Sequence, residues 1–429
     1  MNNILRSMKL WQKFAVLGVL GAVMTAVPTW NVLQARNGEI AVALAEDAGL
    51  DPLRQGFALH SAIELHRVQA QAAIGGDAAA DTARRAAAAD VAKKFDALGA
   101  ELDKQGFKDG AAASKAMRGA WDKLQQQLDA KALDMDKMLA GHAALATEHF
   151  AVLDQVADAS GLSLDPVAET YFLMTAMVDH LPRLAEEVSE LGAYGAAHMG
   201  SKELSLDVRA RMAMASHQIH YLQSRAETQV NKALALAPNL KTALAEPLAL
   251  AAKHSDALHE LAEEMSEQGK PLRTAAEFRQ MGKQATEAQF KVMAQSAQAM
   301  EALLHERVKA SESDRTLLLA ELIGLALVAL GLGLAITRSV TKPLGDAVAA
   351  ADAVGEGNLD HRINASGSDE AAQLLQRLAD MQGNLRLRKQ EDAERLATTE
   401  AASRAATAVA EEIGKIGRAS CRERVSLNV

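Results

Sequence analysis

The sequence predicts an all-α membrane protein with two transmembrane helices, an elongated extracytoplasmic helical bundle and a dimeric parallel coiled coil. Its 429 residues are 49% apolar but only 3% aromatic, and they include only eight prolines. Alanine and the straight-chain residues, which are abundant here, have the highest helix propensities. No stretch shows the alternation typical of a strand of ordinary length. Two long apolar runs lie near the start and in the last third of the chain.

The first apolar run, residues 14–33, follows a basic N-terminal segment. A cleavable signal peptide has the same basic-then-apolar order. However, the run is long enough to cross a bilayer, and it has no clear small-x-small cleavage site before a polar start. Trp11 and Trp30 flank it in the manner of interfacial anchors. We therefore predict an uncleaved transmembrane helix over 14–35, preceded by a cytoplasmic N-terminus over 1–13.

The second run, residues 317–336, is apolar except for Glu321, and Arg338 and Lys342 follow it. Basic residues favour the cytoplasmic side of a membrane span. Because both runs have their basic flank on the same side, residues 36–315 are predicted to lie outside the membrane. The sequence thus predicts a two-span protein of the inner membrane with both termini in the cytoplasm and a periplasmic domain between the spans.

The region over 36–315 contains no cysteine, so no disulfide can stabilise it, but it is long enough to form its own core. Glycine, proline and Asp-Pro signals divide it into seven or eight helices of an antiparallel bundle. One uninterrupted helix is predicted over about 109–158, and the last helix, from about 272, runs into the second span without a stop. The predicted breaks are Gly49 to Pro52, Gly75 to Asp77, Gln105–Gly106, Ser160 to Pro166, Gly200–Ser201, Ala237 to Asn239 and Gly269 to Pro271.

Two amphipathic segments follow the second span. In each, apolar residues recur at alternating steps of three and four, which is the heptad pattern of a coiled coil. Since two such helices do not close a core on their own, the pattern predicts a homodimer. The seam residues are Val340, Leu344, Ala347, Ala351 and Val354 in the first segment, and Ala371, Leu374, Leu378, Met381 and Leu385 in the second.

These segments carry four landmarks in a fixed order: a basic membrane exit, Pro343-Leu344, Gly357-Asn358-Leu359 and Asp369-Glu370. Residues 337–389 therefore resemble a HAMP domain, a dimeric four-helix relay between sensor and output in bacterial receptors. Asn358 departs from the family, which more often has Asp there. The alternative is a pair of unrelated surface helices. The resemblance implies that the relay runs through Pro343, Leu344, Ala347, Ala351, Val354, Gly357, Leu359, Glu370, Leu374, Leu378, Met381 and Leu385.

Two segments of the extracytoplasmic region resemble parts of the large all-helical sensor domains of chemoreceptors and related transducers. The first carries His66 and Arg67 before a Gly-Asp turn, and the second carries Tyr171 and Arg183 within an LDP…Y.L…LP pattern. Arginine is well suited to bidentate capture of a carboxylate. These four residues are therefore the candidate site for a periplasmic small-molecule ligand. The alternative is that both arginines pair with Glu or Asp on neighbouring helices.

The sequence shows no GxGxxG, P-loop or CxxC motif, and we predict no catalytic residue, cofactor or metal. His217 and His220 lie three apart and could share a metal ion, but no third ligand can be assigned to them. Polar residues on a bundle surface are the simpler interpretation of this pair, and His60 with His66 is a weaker candidate. A net charge of −9 and the lack of a basic face argue against nucleic-acid binding.

Residues 390–416 continue as a helical connector that resembles the one following HAMP in methyl-accepting chemotaxis proteins. That resemblance implies a chemoreceptor that is not an enzyme, truncated before its signalling hairpin, whose full-length form contacts an adaptor protein and a histidine kinase. Residues 417–429 abandon the alanine-rich pattern and contain Cys421, which indicates an aberrant or disordered tail.

Two other classes stay open at this point. The input half of a sensor histidine kinase or a nucleotide cyclase would have the same spans and the same HAMP-like segments. A glutamate- and alanine-rich heptad hairpin beyond the connector would indicate a chemoreceptor, whereas catalytic motifs there would indicate an enzyme. A purely structural membrane coiled coil explains the two spans but not the ordered HAMP landmarks.

Overall fold

The computed structural model of the chain describes residues 8–425, with side chains described up to residue 415. Within that range the secondary structure is helical throughout, which confirms the predicted fold class. The chain divides into two compact units. We call Asn31–Leu317 the bundle, and Met1–Trp30 with Leu318–Val429 the membrane and HAMP unit.

Two long helices belong to both units: α1 (Leu10–Ile74) and α9 (Ala275–Gly355). The bundle holds the helices between them, and α10 (Glu370–Val425) follows in the membrane and HAMP unit. The bundle helices are α2 (Ala78–Gln105), α3 (Lys108–Asp129), α4 (Met135–Ser160), α5 (Ala168–Met174), α6 (Leu181–His198), α7 (Leu206–Leu236) and α8 (Lys241–Gln268), with a π-helical turn at Thr175–His180 and 3-10 turns at Leu162–Leu164 and Pro238–Leu240.

Most predicted helix breaks are confirmed, and local side chains explain them. The Asp77 carboxylate caps α2 by accepting hydrogen bonds from the backbone amides of Ala79 and Ala80. Gly106 and Gly269 end α2 and α8 in the left-handed conformation, at φ values of 75° and 70°, where glycine has no steric penalty. The last bundle helix starts as predicted, because Thr274 and Glu277 form a reciprocal capping box at its N-terminus.

The predicted break at Gly49 to Pro52 is wrong, since α1 continues through it. A Cβ added to Gly49 would lie 2.5 Å from the Ser160 hydroxyl. The glycine therefore permits close packing of α1 against the end of α4 and is not a helix terminator. A proline inside a helix removes one hydrogen bond, and burial of Pro52 and Leu53 in the core offsets that loss.

The uninterrupted helix predicted over 109–158 is also wrong, because α3 ends at Asp129 and α4 begins at Met135. In the turn between them Lys131 adopts a positive φ of 53°. The Asp134 carboxylate then caps α4 by accepting from the Lys137 amide. The apolar spacing continues across this turn, so the hydrophobic pattern concealed a helical hairpin in which α3 packs on α4.

One continuous core fills the bundle, and within it α6 packs closely against α9 at a pair of glycines. Gly192 on α6 faces Gly282 on α9, and a Cβ on Gly192 would lie 2.8 Å from the Gly282 Cα. One turn along, a Cβ on Gly195 would lie 2.3 Å from the fully buried Phe278 ring. Small residues are required at this crossing, because any side chain would force the two helices apart.

In the membrane and HAMP unit, α1 and α9 are long and apolar enough to cross a membrane, and the most apolar window of each is fully exposed. After α9 the backbone turns at Gly357, which has a φ of 81°. The Asp369 carboxylate caps α10 by accepting from the Ala372 amide. This helix extends to Val425, beyond the predicted end at about 416. Loss of apolar periodicity there does not reduce helix propensity, and residues 426–429 lie outside the described range.

Candidate functional site

A cluster of charged side chains lies in the core of the bundle. His60, Glu64 and Arg67 project from one face of α1, spaced four and three residues apart, and Glu186 reaches them from α6. All four residues are at least nine-tenths buried. The Arg67 guanidinium pairs with Glu64 Oε2 at 3.1 Å and with Glu186 Oε1. We call these four residues the buried ion cluster.

His60 occupies the other side of the two carboxylates. Its Nε2 lies 3.5 Å from Glu64 Oε1 and 3.6 Å from Glu186 Oε2. These separations exceed the usual hydrogen-bond distance. Neither nitrogen of the His60 ring makes a hydrogen bond to any residue in the described part of the chain, and the same holds for His149, whose ring centroid is 4.9 Å away.

The four ionisable side chains shift one another's pKa values. Although burial opposes its charged form, Arg67 and His60 lower the pKa of Glu64. Burial raises the pKa of Glu186 by more than Arg67 lowers it. Although burial favours the neutral ring, the two carboxylates raise the pKa of His60. The arrangement therefore favours the charged form of Glu64 over that of Glu186.

A neutral histidine pair adjoins this cluster. His142 Nδ1 donates to the Met138 carbonyl at 2.8 Å, so its Nε2 must accept from His66 Nδ1 at 2.9 Å. Burial and the Arg67 charge lower the pKa of His142 to about 3, and burial lowers that of His66 well below its ordinary value. Both rings are therefore neutral, and His66 packs edge-on against Trp121 in the core.

The structure places the second predicted pair apart from the first. Tyr171 is 41% exposed, and Arg183 pairs with Asp179 and stacks over the Phe150 ring at 4.9 Å. The other neighbours of Phe150 include the His60 ring at 5.7 Å. Phe150 thus contacts both the Arg183 side chain and the buried ion cluster.

Arg67 pairs with Glu186 on a neighbouring helix, as the alternative interpretation of the sequence expected. Arg183 pairs with Asp179, four residues earlier in its own helical segment, and lies 3.9 Å from Asp154 on α4. A role of His66, Arg67, Tyr171 and Arg183 in ligand binding stays a prediction. Glu186 and His149 were not predicted from the sequence, because only long-range packing brings them next to α1. The spacing of His60 and Glu64, four residues apart on one helix, is the sequence pattern that indicates this site.

A second polar network links α1 to α9. The Arg307 guanidinium contacts the Glu46 carboxylate at 2.8 Å, the Asp165 carboxylate at 3.2 Å and the Thr170 hydroxyl at 2.6 Å. Asp165 also caps the following turn by accepting from the Val167 amide. This one arginine therefore holds together α1, α9 and the segment between α4 and α5.

Burial and the neighbouring Asp165 charge raise the pKa of Glu46 to about 7, despite Arg307. In the unfolded chain the pKa of a glutamate is about 4.3. Between these values the folded state binds more protons, so stability falls as pH rises from about 4.5 to about 7. As pH rises from 5 to 8, we expect the free energy of unfolding of Glu46→Gln to increase by up to about 3 kcal/mol relative to that of the wild type. If the unfolding midpoints of the wild type and the variant change with pH by the same amount across this range, the raised pKa of Glu46 is contradicted.

In the HAMP-like region, the side chains buried within one chain are Ala347, Ala350, Ala372 and Leu375. The predicted seam is only partly buried: Leu374, Met381 and Leu385 are between 38% and 44% exposed. Exposed apolar residues in a heptad register are available to a second copy of the segment. The dimer seam stays a prediction.

Together these features define an all-helical chain with two membrane-capable helices and a signal-relay module. Residues 335–387 match the family model of the HAMP domain, so a HAMP domain is present. No curated protein matches this chain. A solved structure described as the NasR transcription antiterminator is similar, with a TM-score of 0.50 and 16% identity, over 89% of this chain and 99% of that chain. At that identity the similarity concerns the fold alone.

Proposed function

We propose that this chain is the input and relay part of a transmembrane chemoreceptor of the inner membrane. The bundle lies in the periplasm and senses a small molecule, and the HAMP domain passes a conformational signal to a cytoplasmic domain that controls a histidine kinase. The observation that carries this proposal is the single helix α9, which contains bundle core residues, an apolar membrane-length window and the start of the HAMP match.

Polar pairs between α1 and α9 suit a helix that moves in response to a ligand. Four of the five pairs have an exposed partner, so each of those four stabilises one register of the two helices only slightly. A ligand that favours a second register needs to rearrange these weak contacts and the largely buried Arg307–Glu46 pair. The pairs are Arg54–Glu301 at 2.5 Å, Arg307–Glu46 at 2.8 Å, Arg315–Asn37 at 3.0 Å, Arg36–Asp314 at 3.4 Å and His305–Asp47 at 3.5 Å.

The ligand is best sought with the full chain in nanodiscs. Small organic acids, amino acids, aromatic compounds and inorganic anions form the test library. At 100 times its dissociation constant a ligand stabilises the bundle by about 2.7 kcal/mol, which a thermal-shift assay detects. Arg183→Ala and Tyr171→Ala should abolish that shift if the predicted residues bind the ligand, and an unchanged shift would place the ligand elsewhere.

Disulfide cross-linking tests the relay. In a Cys421→Ser background, Leu344→Cys and Ala351→Cys should cross-link two copies of the chain in membranes. The matched control is Ala349→Cys, because Ala349 is exposed on the face of the same helix opposite the seam and should cross-link poorly. A ligand found in the screen should change the pattern at the seam positions. Equal cross-linking at all three positions would contradict the dimer seam, and a pattern indifferent to ligand would contradict the relay.

A further inference from the structure

We propose that the core of the bundle contains a binding site for a divalent transition-metal ion, with His60 Nε2, Glu64 Oε1 and Glu186 Oε2 as ligands. This inference goes beyond the proposed relay function, and it concerns residues that the relay does not use. It rests on three observations: the spacing of the ligand atoms, their hydrogen bonding and the position of Arg67.

The spacing of the ligand atoms fits a shared metal better than direct hydrogen bonds. His60 Nε2 lies 3.5 Å and 3.6 Å from its two carboxylate oxygens, and all three atoms lie within 4.8 Å of one another. Two ligands at about 2.1 Å from a tetrahedral zinc ion are about 3.4 Å apart. Two of these ligands come from positions four apart on one helix, an arrangement that metal sites use because both side chains lie on the same face.

The same ligand atoms have no hydrogen-bond partner among the described residues. Glu64 Oε1, Glu186 Oε2 and both nitrogens of His60 are buried and make no hydrogen bond within residues 8–415. Buried polar atoms without a partner are rare and costly in folded proteins. A metal ion at this point would satisfy His60 Nε2 and both carboxylate oxygens together.

Arg67 occupies the position of an outer-shell residue. It binds Glu64 Oε2 and Glu186 Oε1, and so leaves the other oxygen of each carboxylate directed to His60. Outer-shell partners of this kind orient the ligating carboxylates of metal sites.

The His149 ring lies beside these ligands. Its side chain is fully buried, its ring lies 4.9 Å from that of His60, and neither of its nitrogens is hydrogen-bonded to a described residue. His60 already supplies one imidazole to the group, and an imidazole ligand favours zinc and neighbouring transition metals over magnesium or calcium.

Zinc binding to the full chain in nanodiscs tests the proposal. After chelator treatment and equilibrium dialysis against Zn²⁺, we expect one tightly bound ion per chain. His60→Gln and Glu64→Gln should each weaken binding by more than about 100-fold, since each removes a direct ligand. His149→Gln should weaken it less. Co²⁺ should give the intense visible absorption of a four-coordinate site in the wild-type protein, a readout that does not depend on the folding of any variant.

Two control variants separate this site from surface binding. His217→Gln combined with His220→Gln removes the exposed histidine pair. His305→Gln removes the partly exposed group that His305 forms with Asp47 and Glu301. Both controls should keep the tight ion. If zinc binds only weakly, or if the controls remove it while His60→Gln does not, the proposal is overturned. Because the readout is metal content, a failure of the relay leaves this test unaffected.

Discussion

Arg67→Met should destabilise the metal-free bundle by about 3–5 kcal/mol. The substitution keeps an unbranched side chain but removes the guanidinium cation that pairs with Glu64 and Glu186. Loss of one partner from a buried ion pair leaves an uncompensated charge, and this effect is among the largest that a single substitution produces. We expect the unfolding midpoint to fall by roughly 10 °C. Fluorescence of Trp121, which packs on His66, reports it in a Trp11→Phe, Trp30→Phe background.

Two further variants make this result specific. Arg183→Met removes an arginine that is also paired with carboxylates but is one-third exposed, and it should cost less than about 1 kcal/mol. Glu64→Gln and Glu186→Gln added to Arg67→Met should recover most of the lost stability, because the amides carry no charge. A single Arg67→Met variant as stable as wild type would show that the cluster is solvated in solution.

These two arginines show how much of the candidate site can be predicted from the sequence. Pairing with a carboxylate was an open alternative for both arginines. Their residue type alone could not show which of the two ion pairs is buried. Arg67 is fully buried because α1, α4 and α6 enclose it, and Glu186 is 119 residues away in the chain. No local pattern reveals a partner at that separation. The all-α fold, the membrane-length helices and the HAMP segment were predictable, since composition and periodicity within short windows determine them.

The two errors in the helix boundaries have a common physical cause. Gly49 looked like a terminator because isolated glycines often end helices, yet here it provides space for Ser160 from a distant turn. The turn after Asp129 looked helical because apolar spacing continued through it. In both places tertiary packing determines whether the helix continues or ends. The sequence shows only the local conformational preference, which the packing overrides. The capped breaks at Asp77 and Thr274 were predictable because side chains within three residues satisfy the helix ends.

The second large effect is expected where α6 and α9 meet. Gly192→Ala would place a Cβ 2.8 Å from the Gly282 Cα, and Gly282→Ala would place one 2.7 Å from the Gly192 Cα. A backbone atom cannot rotate away, so the helices must separate, and we expect each substitution to cost about 2–3 kcal/mol. Gly119→Ala, at an exposed helix position with no atom within 4 Å, should instead be neutral or stabilise by up to about 1 kcal/mol. Thermal unfolding of the three variants in parallel measures the difference.

A rescue experiment at the same crossing distinguishes a backbone clash from a side-chain clash. Gly195→Ala meets the Phe278 ring, and Phe278→Leu should relieve much of its cost because the smaller side chain leaves room for the methyl group. No side-chain substitution should rescue Gly192→Ala. Since the displaced α9 is the helix that runs on to Gly355, Gly192→Ala should also change the cross-linking pattern at Leu344 and Ala351 without any ligand. Destabilisation with an unchanged pattern would mean that the crossing supports the bundle but does not bias the relay.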